Sequence, residues 1–225
     1  MKILLIGDII LDKNIYTLSN RKCPENENLP VCKVKKNEYL IGGCGNIAIN
    51  LNNLNHDIFL FSYVGNDKNK NIIYKKLDEN GIKKKYIISL DRPTITKNRI
   101  FLDNKLICRY DNESDIKVEF KFFEDKLKNI FDKINLDMII LSDYAKGTLS
   151  NELSKFVIDN ANKKKIPIII DPKPKNINNY KNSTIIKANI DEIKSIYFKL
   201  IKKEIEINYD NISNYSEKIC NEYNF

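Results

Sequence analysis

The chain has 225 residues, 42% hydrophobic and 30% charged, with a formal net charge of +8. This length and balance support one large α/β domain or two small ones, and no run approaches the ~20 apolar residues of a membrane span. A single histidine, His56, sets aside chemistry that needs a His base or a set of His ligands. The positive charge comes from lysines scattered along the chain, so it marks a solvated surface and not a nucleic-acid face. The expected partners are therefore small molecules, with neither nucleic acid nor membrane among them. Five cysteines without a CxxC pair fit a reducing compartment, and "ILLIG" is too short for a leader, so the expected location is the cytoplasm.

In chain order, "MKILLIGD" reads as a first buried strand that ends at Gly7 and Asp8, with Asp12 just beyond. Residues 15–41 alternate apolar and polar side chains like an exposed antiparallel ribbon. "IGGCGNIAINLNNL" then puts three glycines beside Asn46 and opens a helix whose apolar face is Ile47, Ala48, Leu51 and Leu54. Gly43, Gly45 and Ala48 can be fitted to a G-x-G-x-x-A dinucleotide fingerprint, but that motif closes the first strand of a βαβ unit. Here it comes some thirty-five residues after the first strand, and no G-K-[ST] makes it a P-loop. A nicotinamide-dependent oxidoreductase is thus poorly supported.

"IFLFSYVG" is a second strand. Residues 93–111 again alternate, around an Asp-Asn turn at Asp103–Asn104, and with 15–41 they predict a small sheet that lies as a lid over the strand ends. Its free edge is suited to pairing with a second subunit. "LDMIILSD", "IPIIID" and "STIIKAN" are further short strands, and between the first two Leu153, Phe156, Val157 and Ala161 form a helical face with Ser150 as N-cap. The lysine runs 83–85 and 163–165 fall where a helix gives way to a strand, where cations suit the helix dipole. Strand–helix–strand repetition predicts a parallel sheet covered on both faces.

Ligands of such sheets bind outside the carboxyl ends of the strands. Those ends carry Asp8 and Asp12, then Asp143, Tyr144 and Lys146, then Asp171 and Lys173, then Asn189 and Glu192. Carboxylates and amides suit vicinal hydroxyls. Lysines with an Asn/Glu pair suit phosphates and Mg²⁺. The combination describes sugar phosphorylation better than redox chemistry.

"GDIILD", "GGCGNIAINL", "PTITKNRI", "LSDYAKG", "IDPK" and "NIDE" follow one another in the order and spacing of PfkB/ribokinase-family carbohydrate kinases, which the chain resembles from Met1 to about Tyr197. "PTITK" and "LSDYAKG" are similar to motifs of the subgroup that acts on D-glycero-β-D-manno-heptose 7-phosphate. The resemblance implies a ribokinase-like three-layer α/β sandwich with a mostly parallel central sheet and a small antiparallel β-lid. It implies ATP as phosphoryl donor, Mg²⁺ as its companion, the anomeric hydroxyl as acceptor, and a homodimer through the lid.

Residue by residue, the resemblance puts Asp12, Gly42, Gly43 and Asn46 under the acceptor sugar and Lys97, Arg99 and Arg109 on its phosphate. Asp143, Tyr144 and Lys146 line the cleft between sugar and nucleotide. Lys173 lies near the transferring phosphates. Asn189, Ile190, Asp191 and Glu192 stand at the ATP site, with Glu192 acting indirectly on Mg²⁺. Lys187 and Ala188 replace the family's Thr-Pro before Asn189, and Cys44 and Gly45 replace alanines. The family's G-A-G-D motif, whose aspartate is the base, is absent, since the last glycine is Gly147. The sequence thus predicts residues 1–225 to be an incomplete kinase domain with no catalytic base. The alternative is a non-catalytic sugar-phosphate binder or a decayed, truncated product.

Overall fold

The computed structural model describes residues 1–19, 21–114, 116–202, 206–207 and 210–225, so residue 20 of the expected ribbon lies outside the described residues. In chain order the elements are β1 (Lys2–Gly7), β2 (Ile9–Leu18), β3 (Lys22–Cys23), β4 (Asn26–Pro30), β5 (Lys33–Gly43), α1 (Cys44–Asn53), β6 (Asp57–Gly65), α2 (Lys68–Glu79) and β7 (Ile87–Leu90). There follow β8 (Thr96–Leu102), β9 (Lys105–Asn112), α3 (Lys121–Lys133), β10 (Met138–Ser142), α4 (Asn151–Lys164), β11 (Ile168–Asp171), a 3₁₀ turn (Pro174–Tyr180), β12 (Ile185–Ile186), α5 (Ile190–Ile201) and α6 (Ile212–Tyr223).

Six strands form one sheet in the order β12-β11-β10-β1-β6-β7, and every pairing in it is parallel. Alternation along β1 sends Leu4 and Ile6 into one core and Ile3 and Leu5 into the other. The first core is closed by α3–α6 and the second by α1 and α2, the three-layer arrangement. A strand covered on both faces has no polar side, which is why "ILLIG" is buried throughout. β1 pairs with β6 on one side and β10 on the other, so its carboxyl end is the point where the chain's path across the sheet reverses.

The second sheet, ordered β5-β2-β8-β9, is the lid. Its two antiparallel pairs, β2–β5 and β8–β9, are joined through a parallel β2–β8 pair. The expected lid segments 15–41 and 93–111 are corrected at their ends. The first pair begins at Ile9 and ends at Gly43, because Ile9, Ile10 and Leu11 are buried and keep the chain extended straight out of the main sheet. Asp12 therefore sits within a lid strand and not in a loop. The turn at Asp103 (φ 48) and Asn104 (φ 65) is as expected, both residues taking the left-handed conformation that a two-residue hairpin demands.

Ser150 caps α4, accepting from the Leu153 N–H at 3.2 Å, and Leu153, Val157 and Ala161 are buried. Leu54 departs from expectation: α1 ends at Asn53 and Leu54 is 66% exposed, while Cys44 and Ala48 make the buried contact. β7 is not among the expected strands, because "IISL" is too short to show a period.

Candidate functional site

The site opens where the lid meets the carboxyl ends of the main sheet. A cavity of about 570 Å³ lies there, lined among others by Asp12, Gly42, Gly43, Asn46, Lys97, Arg99 and Tyr144. That volume is typical of small-molecule sites. Register explains the convergence. Ile10 faces Gly42, Asp12 faces Leu40 and Lys97, and Asn14 faces Arg99, so period-two alternation puts Asp12, Gly42, Lys97 and Arg99 on one side of the lid.

Gly42 is small for a visible reason: a Cβ there would lie 2.4 Å from Asp12 Oδ2. Gly43 has φ 60 and ψ −144, and a Cβ on it would meet the Asp8 carbonyl oxygen at 2.1 Å. The Cys44 N–H donates to that same carbonyl at 2.9 Å, and α1 starts immediately. Burial pushes the Cys44 thiol well above its ordinary range, so it serves as packing. Asn46 projects exposed from the first turn of α1 into the cavity.

Arg99 donates to Asp12 Oδ1 at 2.6 Å, and both side chains are mostly covered. The Lys97 ammonium lies 5.4 Å from the centre of the Tyr144 ring, and burial, then the Arg109 charge, lowers its pKa. Lys173, arriving from the end of β11, lies 5.8 Å from the same ring. The ring of Tyr144 thus touches both the cavity and a second cluster. There Lys173 contacts Glu192 Oε1 at 3.1 Å, the Asn189 N–H donates to Glu192 Oε2 at 3.0 Å, and the Glu192 N–H donates to Asn189 Oδ1 at 2.9 Å. This is a capping box on α5. Ile190 and Asp191 form the first turn of that helix, half-buried and exposed respectively.

Burial opposes ionisation of Glu192, but the Asn189 N–H and Lys173 outweigh it and hold its carboxyl below the ordinary value. A lowered folded pKa adds stability above the unfolded value near 4.5, and that stability disappears as pH falls through the folded pKa. Glu192→Gln should therefore cost about 1 kcal/mol at pH 7 and less at pH 3. Urea titrations at the two pH values check this, and an equal cost at both would contradict it.

Of the residues expected around the sugar and its phosphate, three are not on the cavity wall. Arg109 shares the Arg99 register but is spent on Asp111, with Nε–Oδ1 at 2.9 Å and a terminal nitrogen–Oδ2 contact at 2.6 Å. Asp143 is buried and accepts from the Ala145 N–H, the Asn176 amide and the Tyr180 hydroxyl. Lys146 pairs with Glu113 at 2.5 Å. In "PTITK" the threonines are structural. Thr94 bonds Asp67 and the Gly65 N–H at the lid's root, Thr96 is buried, and Lys97 faces the cavity. Conversely, Tyr39, Lys76 and Asn80 line the cavity unannounced. The last two lie at the end of α2, whose many lysines gave them no distinguishing signal.

Mg²⁺ prefers carboxylates and water. No group of three or more His, Cys, Asp or Glu side chains among the described residues is arranged to hold a metal. Both Glu192 oxygens are engaged, so this carboxylate fits an ion reached through water and not by direct ligation. No helix among the described residues is long and apolar enough to cross a membrane.

The model of the pfkB family carbohydrate kinases matches residues 1–212. Among curated proteins, the bifunctional protein HldE of a Nitratiruptor species is 32% identical over 208 residues, covering 92% of this chain and 44% of that protein. The HldE of Campylobacter jejuni subsp. jejuni serotype O:2 is 34% identical over 206 residues, covering 90% and 43%. The chain therefore spans less than half the length of these relatives. Among solved structures, Arabidopsis thaliana ribokinase complexed with ribose and ATP superposes with a TM-score of 0.71 at 16% identity, covering 98% of this chain and 68% of that one. At that identity the likeness shows a common ribokinase-like fold.

Proposed function

We propose, from the premise that this chain belongs to the pfkB family of carbohydrate kinases, that it binds D-glycero-β-D-manno-heptose 7-phosphate for phosphorylation at the anomeric hydroxyl by ATP. The observation that carries this is the cavity in which a carboxylate, a glycine turn and an exposed amide face two cations, Lys97 and Arg99. Asp12 and Asn46 take sugar hydroxyls, and glycine at 42 and 43 lets the sugar ring approach the backbone. Lys97 and Arg99 take the sugar's own phosphate, with Arg109 at the rim; the planar guanidinium of Arg99 suits two phosphate oxygens. Tyr144, carried by the loop that Asp143 and Lys146 anchor, separates this phosphate from the one transferred. Lys173 and the Asn189–Glu192 turn face the ATP phosphates, whose charge Mg²⁺ neutralises when bound.

The proton of the anomeric hydroxyl needs a base. The G-A-G-D motif that would supply one does not occur in the 225 residues, and Asp12 is paired with Arg99. We therefore assign to these residues the sugar-binding part of a kinase domain acting in the cytoplasm. A base and an anion hole commonly contribute ~10²–10⁴-fold each. Calorimetry on the 225-residue chain should show saturable binding of the heptose 7-phosphate and much weaker binding of the unphosphorylated heptose. A coupled assay should show no ATP turnover above background. Turnover would contradict the assignment of a binding part, and failure to bind any sugar phosphate would sink the whole reading. A dimer through the free edge of β9, which is exposed along its whole length, is expected in sedimentation of the same sample.

A further inference from the structure

We infer that Asp8 is a positioning residue: from the junction of β1 and β2 it locks the glycine turn under the sugar to the loop that carries Tyr144. It lies neither in the cavity wall nor in the Lys173–Glu192 cluster, and it is fully buried. Its backbone carbonyl accepts the Cys44 N–H at 2.9 Å and closes on Gly43. Its carboxylate is wrapped by the other loop. Oδ2 accepts the N–H groups of Tyr144 and Lys146, each at 3.1 Å, and Oδ1 accepts that of Thr148 at 3.0 Å.

The residues on either side of Asp8 are themselves held. Ser62 Oγ on β6 donates to the Gly7 carbonyl at 2.6 Å and accepts the Ile9 N–H at 3.1 Å. One side chain and one carbonyl therefore fix, from a braced position, two segments far apart in sequence, Gly43–Cys44 and residues 144–148. Those segments carry Gly43 and Asn46 and the Tyr144 ring, all on the cavity wall, and the ring meets both Lys97 and Lys173. The three donors on the carboxylate are backbone N–H groups that cannot rotate away. An asparagine offers one acceptor oxygen and an NH₂. Whichever way it turns, a donor faces at least one backbone donor, so Asp8→Asn unlocks the loop while nearly conserving volume.

This inference rests on the proposed sugar-phosphate site, and the experiment separates the two. Amide exchange is followed by NMR on the wild-type and Asp8→Asn 225-residue chains, alongside calorimetric titration with D-glycero-β-D-manno-heptose 7-phosphate, at a temperature where both are folded. In the variant, exchange at Tyr144, Lys146 and Thr148 should speed up about tenfold or more, with β10 amides still protected, and affinity should fall about tenfold or more. Faster exchange with unchanged affinity would make Asp8 a structural staple and overturn the inference, as would unchanged exchange. If the wild type does not bind the sugar phosphate, the proposed substrate fails. The inference then stands if Cys44 loosens together with the three loop amides in the variant, and falls if loosening stays in the loop. A further measurement needs neither ligand nor variant. In the wild type, exchange of Cys44, Tyr144, Lys146 and Thr148 against low urea should report one common opening, and separate openings would overturn the lock.

Discussion

Gly43→Ala is expected to cost about 3 kcal/mol or more of stability and to abolish sugar-phosphate binding in whatever fraction remains folded. Two independent penalties meet at this position. The conformation, φ 60 with ψ −144, is one that only glycine adopts without strain. The added methyl would also lie 2.1 Å from the Asp8 carbonyl oxygen, which is backbone and already bound to the Cys44 N–H. Neither partner can retreat without moving the end of β1 or the start of α1, and α1 carries Asn46 and Ile49 of the cavity wall. Gly81→Ala serves as the contrast. Gly81 also has positive φ, at 69°, but its nearest neighbour is the end of the Asn52 side chain at 3.5 Å, so only the backbone penalty of roughly 1 kcal/mol applies. Urea unfolding and calorimetry on the two variants would measure this. Equal losses at the two positions would refute the account of Gly43.

Asp12→Asn is expected to weaken sugar-phosphate affinity by about 100-fold while costing only about 1–2 kcal/mol of stability. The carboxylate holds Arg99 at 2.6 Å in a mostly covered setting, so its removal leaves a guanidinium short of its counter-charge. Loss of the proposed charge-assisted hydrogen bonds to sugar hydroxyls and displacement of Arg99, proposed above to hold the phosphate, then add in the same direction. Stability changes less because the asparagine amide retains volume and one acceptor. Titration calorimetry on Asp12→Asn, Arg99→Ala and the double variant gives the coupling between them. An affinity within threefold of wild type for Asp12→Asn would remove Asp12 from the site.

The architecture was legible because burial leaves a strong imprint on short strands. "KILLIG", "IFLFSYVG" and "IPIII" carry no polar side, and their shortness, β-branching and flanking turn residues mark strands of a sheet covered on both faces and not a buried helix. The hairpin at Asp103–Asn104 and the Ser150 cap were equally visible, since each depends on local chemistry at fixed spacing. Leu54 misled because helical periodicity gives no sign of where α1 stops. β7 escaped because four residues hold too little period to detect.

The site was legible as a set of residue types at strand ends and, through family resemblance, as particular positions. Of the positions so expected, Asp12, the glycine turn, Lys97, Arg99 and Tyr144 line the cavity, Lys173 and the Asn189–Glu192 cap form the adjoining cluster, and Arg109, Asp143 and Lys146 do neither. Which charged groups have committed partners is decided by distance between segments remote in sequence. Arg109 and Arg99 share a register, yet Arg109 pairs with Asp111 and Arg99 reaches Asp12. Asp8 and Asp143 each follow the end of a core strand and turn inward to organise loops, whereas Asp12 lies within a lid strand and faces the cavity. Burial pattern and local turn chemistry are properties of neighbouring residues, so the sequence carried them by itself. The meeting of Asp8 with residues 144–148, and of Lys97 and Lys173 across one ring, exists only once β1, β8, β10 and β11 have been brought together by the sheet and its lid.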